Sequence, residues 1–513
     1  MGARGVGCLA GTLVVVLATG CAAAYLTTRE GDGPEKVAAD YFAAWRNGSF
    51  TGMERLVEDA PPDFADQHRA LARGLSVSRV DLRPEPLVRD GKSGARVAYA
   101  VSRAVGGHGT WSFRSEVRLA KSGREWRVQW TPATLYPGLK GKATWDLRRI
   151  DVPAVTFAAR DGRALPEDGT LEPYVTGLAE RIGSDDEDGA PTSWAVELRD
   201  GGGPVQRLKL LGRGEGKPVR TTLDRRVQAA AEKAVAAAPG QAAIVALRPS
   251  TGEILAVADR LGGRGAFIGL YPPGSTFKTV TAAALVADGM SGGGSVECPA
   301  SVVTAQRTIV NHDGESMGRA TLLNAFAESC NTTFARLSVE RLKAAKLAGG
   351  ARSFGFGVPI TPGVPAARGS FPEPENGAEL AEASIGQGRV QASPLVMAVV
   401  AGSVADGTWR PPRLVDAKLI RKAGDPVAGT RPVPSASSLR AMMRAVVASG
   451  TASRAGLPPG TSGKTGTAET GEGQSHAWFI GYRGDLAFSV FVQQGGSGPK
   501  VAAPLAAQFL KSL

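Results

Sequence analysis

Tyr271-Pro-Pro-Gly-Ser-Thr-Phe-Lys278, running into the apolar stretch Thr279-Val-Thr-Ala-Ala-Ala-Leu-Val-Ala287, is the segment from which the rest of the chain is read. Two prolines and a glycine break whatever precedes, and the apolar run predicts a buried helix starting at that break. Ser275 then sits at a helix start with Lys278 one turn on, so the two side chains share a face. A hydroxyl beside a lysine held neutral by burial is an activated nucleophile, because the amine can take the hydroxyl proton. The pattern Ser-x-x-Lys arises easily by chance, and Ser497-Gly-Pro-Lys500 repeats it. That second copy lies among Gly495, Gly496, Gly498 and Pro499 with no helix starting at it, and reads as a surface loop.

Two further strings follow the first in chain order. Ser329-Cys-Asn331 falls between helix-like runs at 321–328 and 332–342, where a serine and an asparagine alone read as turn or capping residues. Lys464-Thr-Gly-Thr467 follows a loop at 460–463 and precedes strand-like runs at 477–482 and 486–492. A strand there uses Gly466 to let a substrate backbone lie close, while Lys464 offers a positive charge and Thr465 and Thr467 offer hydroxyl donors to a carboxylate. The related triplets Lys92-Ser-Gly94 and Lys121-Ser-Gly123 sit between alternating strand-like runs and read as hairpin turns. Four histidines and four cysteines are scattered without metal-ligand spacing, so the chemistry needs neither a metal nor another cofactor.

In this order the three strings resemble the penicillin-binding protein and serine β-lactamase superfamily. The resemblance covers essentially the whole segment from Val219 onward, including Gly386-Gln-Gly388 and Ser393-Pro-Leu395 before a buried helix. It implies an acyl-serine enzyme with Ser275 as nucleophile, Lys278 as base and Ser329 as proton relay, and with Asn331 holding the lysine or a substrate carbonyl. The backbone N–H groups of Ser275 and Thr467 would form the oxyanion hole, and Lys464, Thr465 and Thr467 would anchor the terminal carboxylate. Within the superfamily the reading is a monofunctional class B D,D-transpeptidase that cross-links peptidoglycan stem peptides and is inhibited covalently by β-lactams. A glycosyltransferase and a divisome or elongasome are the implied partners. A serine β-lactamase uses the same machinery, but residues 26–218 would then be surplus. A D,D-carboxypeptidase differs only in accepting water, and a β-lactam sensor or scaffold would retain the site for binding alone.

The expected fold is multidomain α+β. Residues 1–30 carry an uncharged stretch from Gly5 to Leu26, 22 residues after Arg4, which is long enough to cross a bilayer with the bulk of the chain outside the cytoplasm. The alternative is a lipoprotein signal ending at Cys21, and both tether the chain to the membrane. Residues 31–146 read as a helix from Pro34, with Val37, Tyr41 and Trp45 on one stripe, against alternating strands, and resemble the nuclear-transport-factor-like spacer of some of these proteins. Residues 147–218 resemble a shortened dimerisation-like connector, with an acidic loop at 185–188 and glycine clusters at 201–203 and 212–216 read as solvated turns. Residues 219–513 form the penicillin-binding domain, with two strands before the nucleophile and three from Lys464 on in one five-stranded antiparallel sheet, flanked by helices. The net charge of +12 comes without a basic run or interleaved aromatics, which argues against nucleic acid. Cys298 and Cys330 are 32 residues apart and an oxidising compartment permits a disulfide, although a buried Cys330 and a loop thiol at Cys298 fit the sequence equally well.

Overall fold

The computed structural model describes residues 33–150, 155–166, 169–182, 193–212, 218–470 and 473–513. Residues 1–30, on which the expected tether falls, the acidic loop at 185–188 and most of the glycine cluster at 212–216 lie outside the described residues. Among those described, no helix is long and apolar enough to cross a membrane.

Helix α1 (Pro34–Arg46) opens on a proline, whose missing N–H costs nothing at a helix start, and buries Val37, Tyr41, Phe42 and Trp45. A short helix α2 (Phe50–Glu54) and helix α3 (Phe64–Gly74) complete this layer. They pack on an antiparallel sheet of β1 (Val77–Pro84), β2 (Val88–Asp90), β3 (Gly94–Val105), β4 (Gly109–Ser122) and β5 (Glu125–Gln129). Strand β3 alternates strictly, one residue buried and the next half-buried, as a sheet with one core face requires. Of the two Lys-Ser-Gly triplets, Lys92-Ser93 makes the β2–β3 hairpin turn with Gly94 opening β3, while Lys121 and Ser122 end β4 and Gly123 enters the β4–β5 turn.

Strand β6 (Ala143–Ile150) runs across the expected 146/147 boundary and pairs with β7 (Ser193–Asp200), which pairs in turn with β8 (Gln206–Leu211). This small sheet faces two cores: Val196 and Leu198 enter the N-terminal core, and Ala195 on the opposite face enters that of the C-terminal domain. The connector helix α4 (Glu172–Ile182) adds a polar tie, because the Tyr174 hydroxyl donates to Asp259 Oδ2 at 2.5 Å.

In the C-terminal domain, Asp224 caps helix α5 (Arg225–Ala236) by accepting from the N–H groups of Arg226 and Val227. Strands β9 (Ala242–Leu247) and β10 (Ile254–Asp259) are buried at every position, as expected of strands covered on both faces. They join β11 (Ser462–Ala468), β12 (His476–Arg483) and β13 (Leu486–Val492) in one antiparallel sheet of order β10-β9-β13-β12-β11. Thus the Lys464 motif lies on an edge strand, with one side open to ligand. The strand starts at Ser462, inside the expected loop, since Ser462 and Gly463 already pair with Tyr482 and Gly481.

The reading of Ser497 as a loop residue needs correction. Gly498–Ala502 forms a wide helical turn leading into the final helix Ala503–Lys511, so a helix does start beside Ser497. Gly498 packs so closely on the edge strand that a Cβ there would fall 2.2 Å from the Gly466 carbonyl oxygen.

Cys298 and Cys330 are joined in a disulfide with a Cα–Cα separation of 6.2 Å. The bond fastens the chain just before Asn331 to a short hairpin strand, Ser295–Cys298. Thiol titration of the denatured, unreduced protein should therefore find neither cysteine reactive. Reduction should lower the unfolding free energy by ~3–4 kcal/mol in a urea titration. Two free thiols at these positions would exclude the bond.

Candidate active site

The Ser275 turn is built before the helix it introduces. Gly274–Phe277 forms a tight helical turn and α6 (Lys278–Ala287) continues from it. The Thr276 hydroxyl donates to the Pro273 carbonyl at 2.6 Å and closes the turn. Gly274 has φ +53, and a Cβ there would lie 2.4 Å from the Thr467 carbonyl oxygen, so glycine is required both by conformation and by contact with β11. On the other side the Gly274 N–H donates to the Gly386 carbonyl at 2.9 Å, which accounts for the Gly386-Gln-Gly388 string. Phe277 fills the space behind, stacked on Phe371 and edge-on to Phe356.

Lys278 is 0% exposed, with Nζ 3.0 Å from Ser275 Oγ and 3.3 Å from Ser329 Oγ. Its N–H groups also meet the Ser329 carbonyl and Asn331 Oδ1, each at 2.5 Å. The last two are acceptors only, so in the neutral amine they take both N–H groups and leave the lone pair for the serine hydroxyls. Burial, and then the charge of Lys464, hold this amine well below its usual range. Among the described residues no carboxylate contacts it to reverse that effect.

Ser329 occupies the left-handed region, φ +63, where the helix Leu322–Ala327 ends. Its N–H and that of Cys330 cap this helix by donating to Phe326 and Ala325. The same residue caps the helix and places its hydroxyl within reach of Lys278 and Lys464. Asn331 opens the helix Asn331–Leu337; its Nδ2 donates to the Val310 carbonyl at 2.9 Å, which fixes the amide with Oδ1 toward Lys278.

Lys464 is also 0% exposed and donates to Ser329 Oγ at 2.8 Å and to the Thr465 carbonyl at 3.0 Å. Burial pushes it down to about 7, with Glu328 partly opposing. A single hydroxyl, that of Ser329, thus bridges two buried amines. Thr465 and Thr467 line a cleft of about 270 Å³ with Ser275, Ser329 and Asn331. Thr467 Oγ1 accepts from the Gly498 N–H at 3.2 Å, which leaves its own proton to donate into the cleft.

Gly466 has a different reason from the one read in the sequence. Its α-carbon faces away from the cleft, and a Cβ there would meet Thr276 Cγ2 at 2.8 Å and the Pro273 carbonyl at 3.0 Å. The chain that approaches it in the structure is the Ser275 turn.

Asn311 and Thr451 escaped the sequence reading. Asn311 Oδ1 accepts from the N–H groups of Asn331 and Thr332, while its Nδ2 donates to the carbonyls of Pro299 and Glu315. It thereby orients the start of the Asn331 helix. The Thr451 hydroxyl is 2.6 Å from that of Thr465. Neither sits in a local pattern, and only the tertiary fold brings them in. At the cleft rim Glu328 is pushed up by burial first and by Glu315 second.

Residues 242–511 match the family of the penicillin-binding protein transpeptidase domain, and residues 33–143 match the NTF2-like N-terminal transpeptidase domain. Peptidoglycan D,D-transpeptidase PbpA of Mycobacterium tuberculosis is 31% identical over 358 residues, covering 56% of this chain and 71% of the relative. The protein of that name from Mycolicibacterium smegmatis is 30% identical over 361 residues, with the same coverage of 56% and 71%. A solved structure of M. tuberculosis penicillin-binding protein A as a ceftriaxone acyl-enzyme superposes with a TM-score of 0.52 at 27% identity, over 59% of this chain and 81% of that one. The D,D-transpeptidase domain of an Eggerthella lenta peptidoglycan glycosyltransferase gives 0.52 at 27% identity, over 62% and 94%.

The lowered lysine gives a pH signature. Charged Lys464 is the form that attracts a carboxylate, so the second-order rate of penicillin acylation should fall as pH rises through about 7. Lys464→Arg, which stays charged, should remove that limb. A flat rate across this range in the unsubstituted enzyme would reject the assignment. Stability moves the other way: the unfolded lysine holds its proton up to 10.5, so the unfolded state binds more protons between about 7 and 10.5. Melting temperature should therefore gain from Lys464 as pH rises across that window.

Proposed function

The chain belongs to the penicillin-binding protein transpeptidase family, and from that premise we propose that it is a monofunctional class B peptidoglycan D,D-transpeptidase acylated on Ser275. The observation that carries this reading is Lys278, a buried amine held against both Ser275 Oγ and Ser329 Oγ. Ser275 Oγ attacks the carbonyl of the penultimate D-alanine of a stem peptide, and its proton passes to the neutral Lys278. The oxyanion is held by the backbone N–H groups of Ser275 and Thr467, on segments already packed together through Gly274. Collapse of the tetrahedral adduct expels D-alanine, whose amine takes a proton from Lys278 through Ser329 Oγ.

The terminal carboxylate lies against the hydroxyls of Thr465 and Thr467, above the Lys464 charge. The amine of a second stem then attacks the acyl-enzyme, loses its proton by the same route and restores Ser275. A β-lactam follows the first half, but its opened ring keeps the would-be leaving nitrogen attached, so the ester remains. Residues 1–30 tether the enzyme to the membrane with its catalytic domain outside the cytoplasm, and a glycosyltransferase of the divisome or elongasome supplies the glycan strands. The spacer boundary near residue 146, the connector to 218 and the catalytic domain from 219 belong to the same reading. A carboxypeptidase would run this cycle with water as acceptor, and a β-lactamase would release the acyl group rapidly.

A fluorescent penicillin should label the protein on the Ser275 peptide, and Ser275→Ala should abolish labelling. Ser329→Ala should slow acylation by about 10²-fold or more, the usual size of a general acid–base contribution. The label should outlast many turnovers of about 0.1 s each. Label on Ser497 would sink the nucleophile assignment, and rapid repeated hydrolysis would favour a β-lactamase.

A further inference from the structure

The N-terminal domain contains a second cavity, of about 440 Å³, enclosed by the end of α1, helix α3 and strands β1 and β3. Its charged lining has one sign: Arg46, Arg79 and Arg103, with no aspartate or glutamate among its residues. Arg46 and Arg79 are exposed at the mouth. Ser78 is bulged out of the β1–β3 pairing, between Val77 opposite Val105 and Arg79 opposite Ala104, and a bulge re-aims the side chain beside it.

Arg103 is the informative residue. It is 2% exposed, and its Nη1 is buried without a hydrogen-bond partner. The guanidinium stands over Phe113 and Trp111, with ring centroids 5.0 and 5.6 Å away, and no carboxylate among the described residues reaches it. Next to it His68 is 4% exposed, with Nε2 buried and unpartnered. Burial, and then Arg103, drive this imidazole down to about 3, so it is neutral and adds no second charge. Cation–π contact is worth about 1–2 kcal/mol, well short of the several kcal/mol that desolvating an ion costs. An arginine cannot escape that cost by losing its proton at neutral pH.

We propose that this cavity binds a small amphiphilic anion, a carboxylate or phosphate monoester on an apolar body, with the head on Arg103 and the body against Trp45 and Phe50. Arg46 and Arg79 draw the anion to the mouth. The N-terminal domain is then a binding module as well as a spacer, and this conclusion does not rest on the catalytic reading.

The test uses the full-length protein with its catalytic cleft already blocked by penicillin, so that the carboxylate anchor there is occupied. Binding of 3-phenylpropionate, phenyl phosphate and the neutral 3-phenylpropionamide is measured by calorimetry and saturation-transfer NMR. At least one anion should bind about tenfold or more tightly than the amide, and the better anion identifies the head group. Arg103→Gln should remove that preference while penicillin acylation and circular dichroism stay unchanged. Equal binding of amide and anions, undiminished anion binding by folded Arg103→Gln, or no binding at about 10 mM probe would overturn the proposal. Should Arg103→Gln fail to fold, Arg46→Gln with Arg79→Gln decides: a severalfold loss of anion affinity supports the site, and an unchanged affinity rejects it.

Discussion

Two buried amines sharing one hydroxyl are the constraint around which this molecule is arranged. Lys278 and Lys464 are both 0% exposed and both lie within hydrogen-bonding reach of Ser329 Oγ, with no carboxylate among the described residues in contact with either. Water would solvate two ammonium ions well; here burial and mutual repulsion make one of them give up its proton. A neutral amine beside Ser275 is the consequence. The acceptors that remain, the Ser329 carbonyl and Asn331 Oδ1, orient the amine without restoring its charge. Such a site is costly to stability by design, and the large continuous core beneath it is what makes it tolerable.

That arrangement needs three chain segments, far apart in sequence, to meet within a few ångströms. The Ser275 turn is wedged between β11 and the Gly386 string; the first contact excludes a Cβ at Gly274 and the second a Cβ at Gly386. Trp478, on the strand next to β11, donates to the Pro272 carbonyl at 3.0 Å and holds the turn from behind. The Ser329 segment is held separately, by its helix cap, by Asn311 and by the Cys298–Cys330 bond. Ser275 and Ser329 are thus fixed by independent supports, which keeps their separation from depending on one loop.

How much of this was legible in the sequence follows from the range of each interaction. Strands β9, β10, β12 and β13 carry short apolar runs and β3 of the N-terminal sheet alternates, both local patterns that can be read directly. The joining of those four apolar strands with the polar β11 in one sheet was legible only through the family resemblance. The residues Ser275, Lys278, Ser329, Asn331, Lys464, Thr465 and Thr467 do converge. Asn311 and Thr451 could not be found, because their partners lie 20 and 14 residues away and no spacing marks them. Glycines at 466 and 498 read in the sequence as substrate approach and as loop, and in the structure each marks a place where another backbone presses close: the Ser275 turn on Gly466, and Gly466 on Gly498. A sequence shows that a glycine is present, and only packing shows which chain it admits.

The same rule about buried cations separates the two halves of the molecule. At the Ser275 cleft the buried cations are lysines, whose compact ammonium can lose a proton, and burial is converted into basicity. In the N-terminal domain the buried cation is Arg103, which burial lowers only to about 10, so at neutral pH it keeps its charge. Desolvation there cannot generate a base; it generates an unmet demand for negative charge. Aromatic faces meet part of it, and the one-signed cavity lining offers no carboxylate to meet the rest. Identical physics therefore gives a proton acceptor where the buried side chain is lysine and an anion receptor where it is arginine.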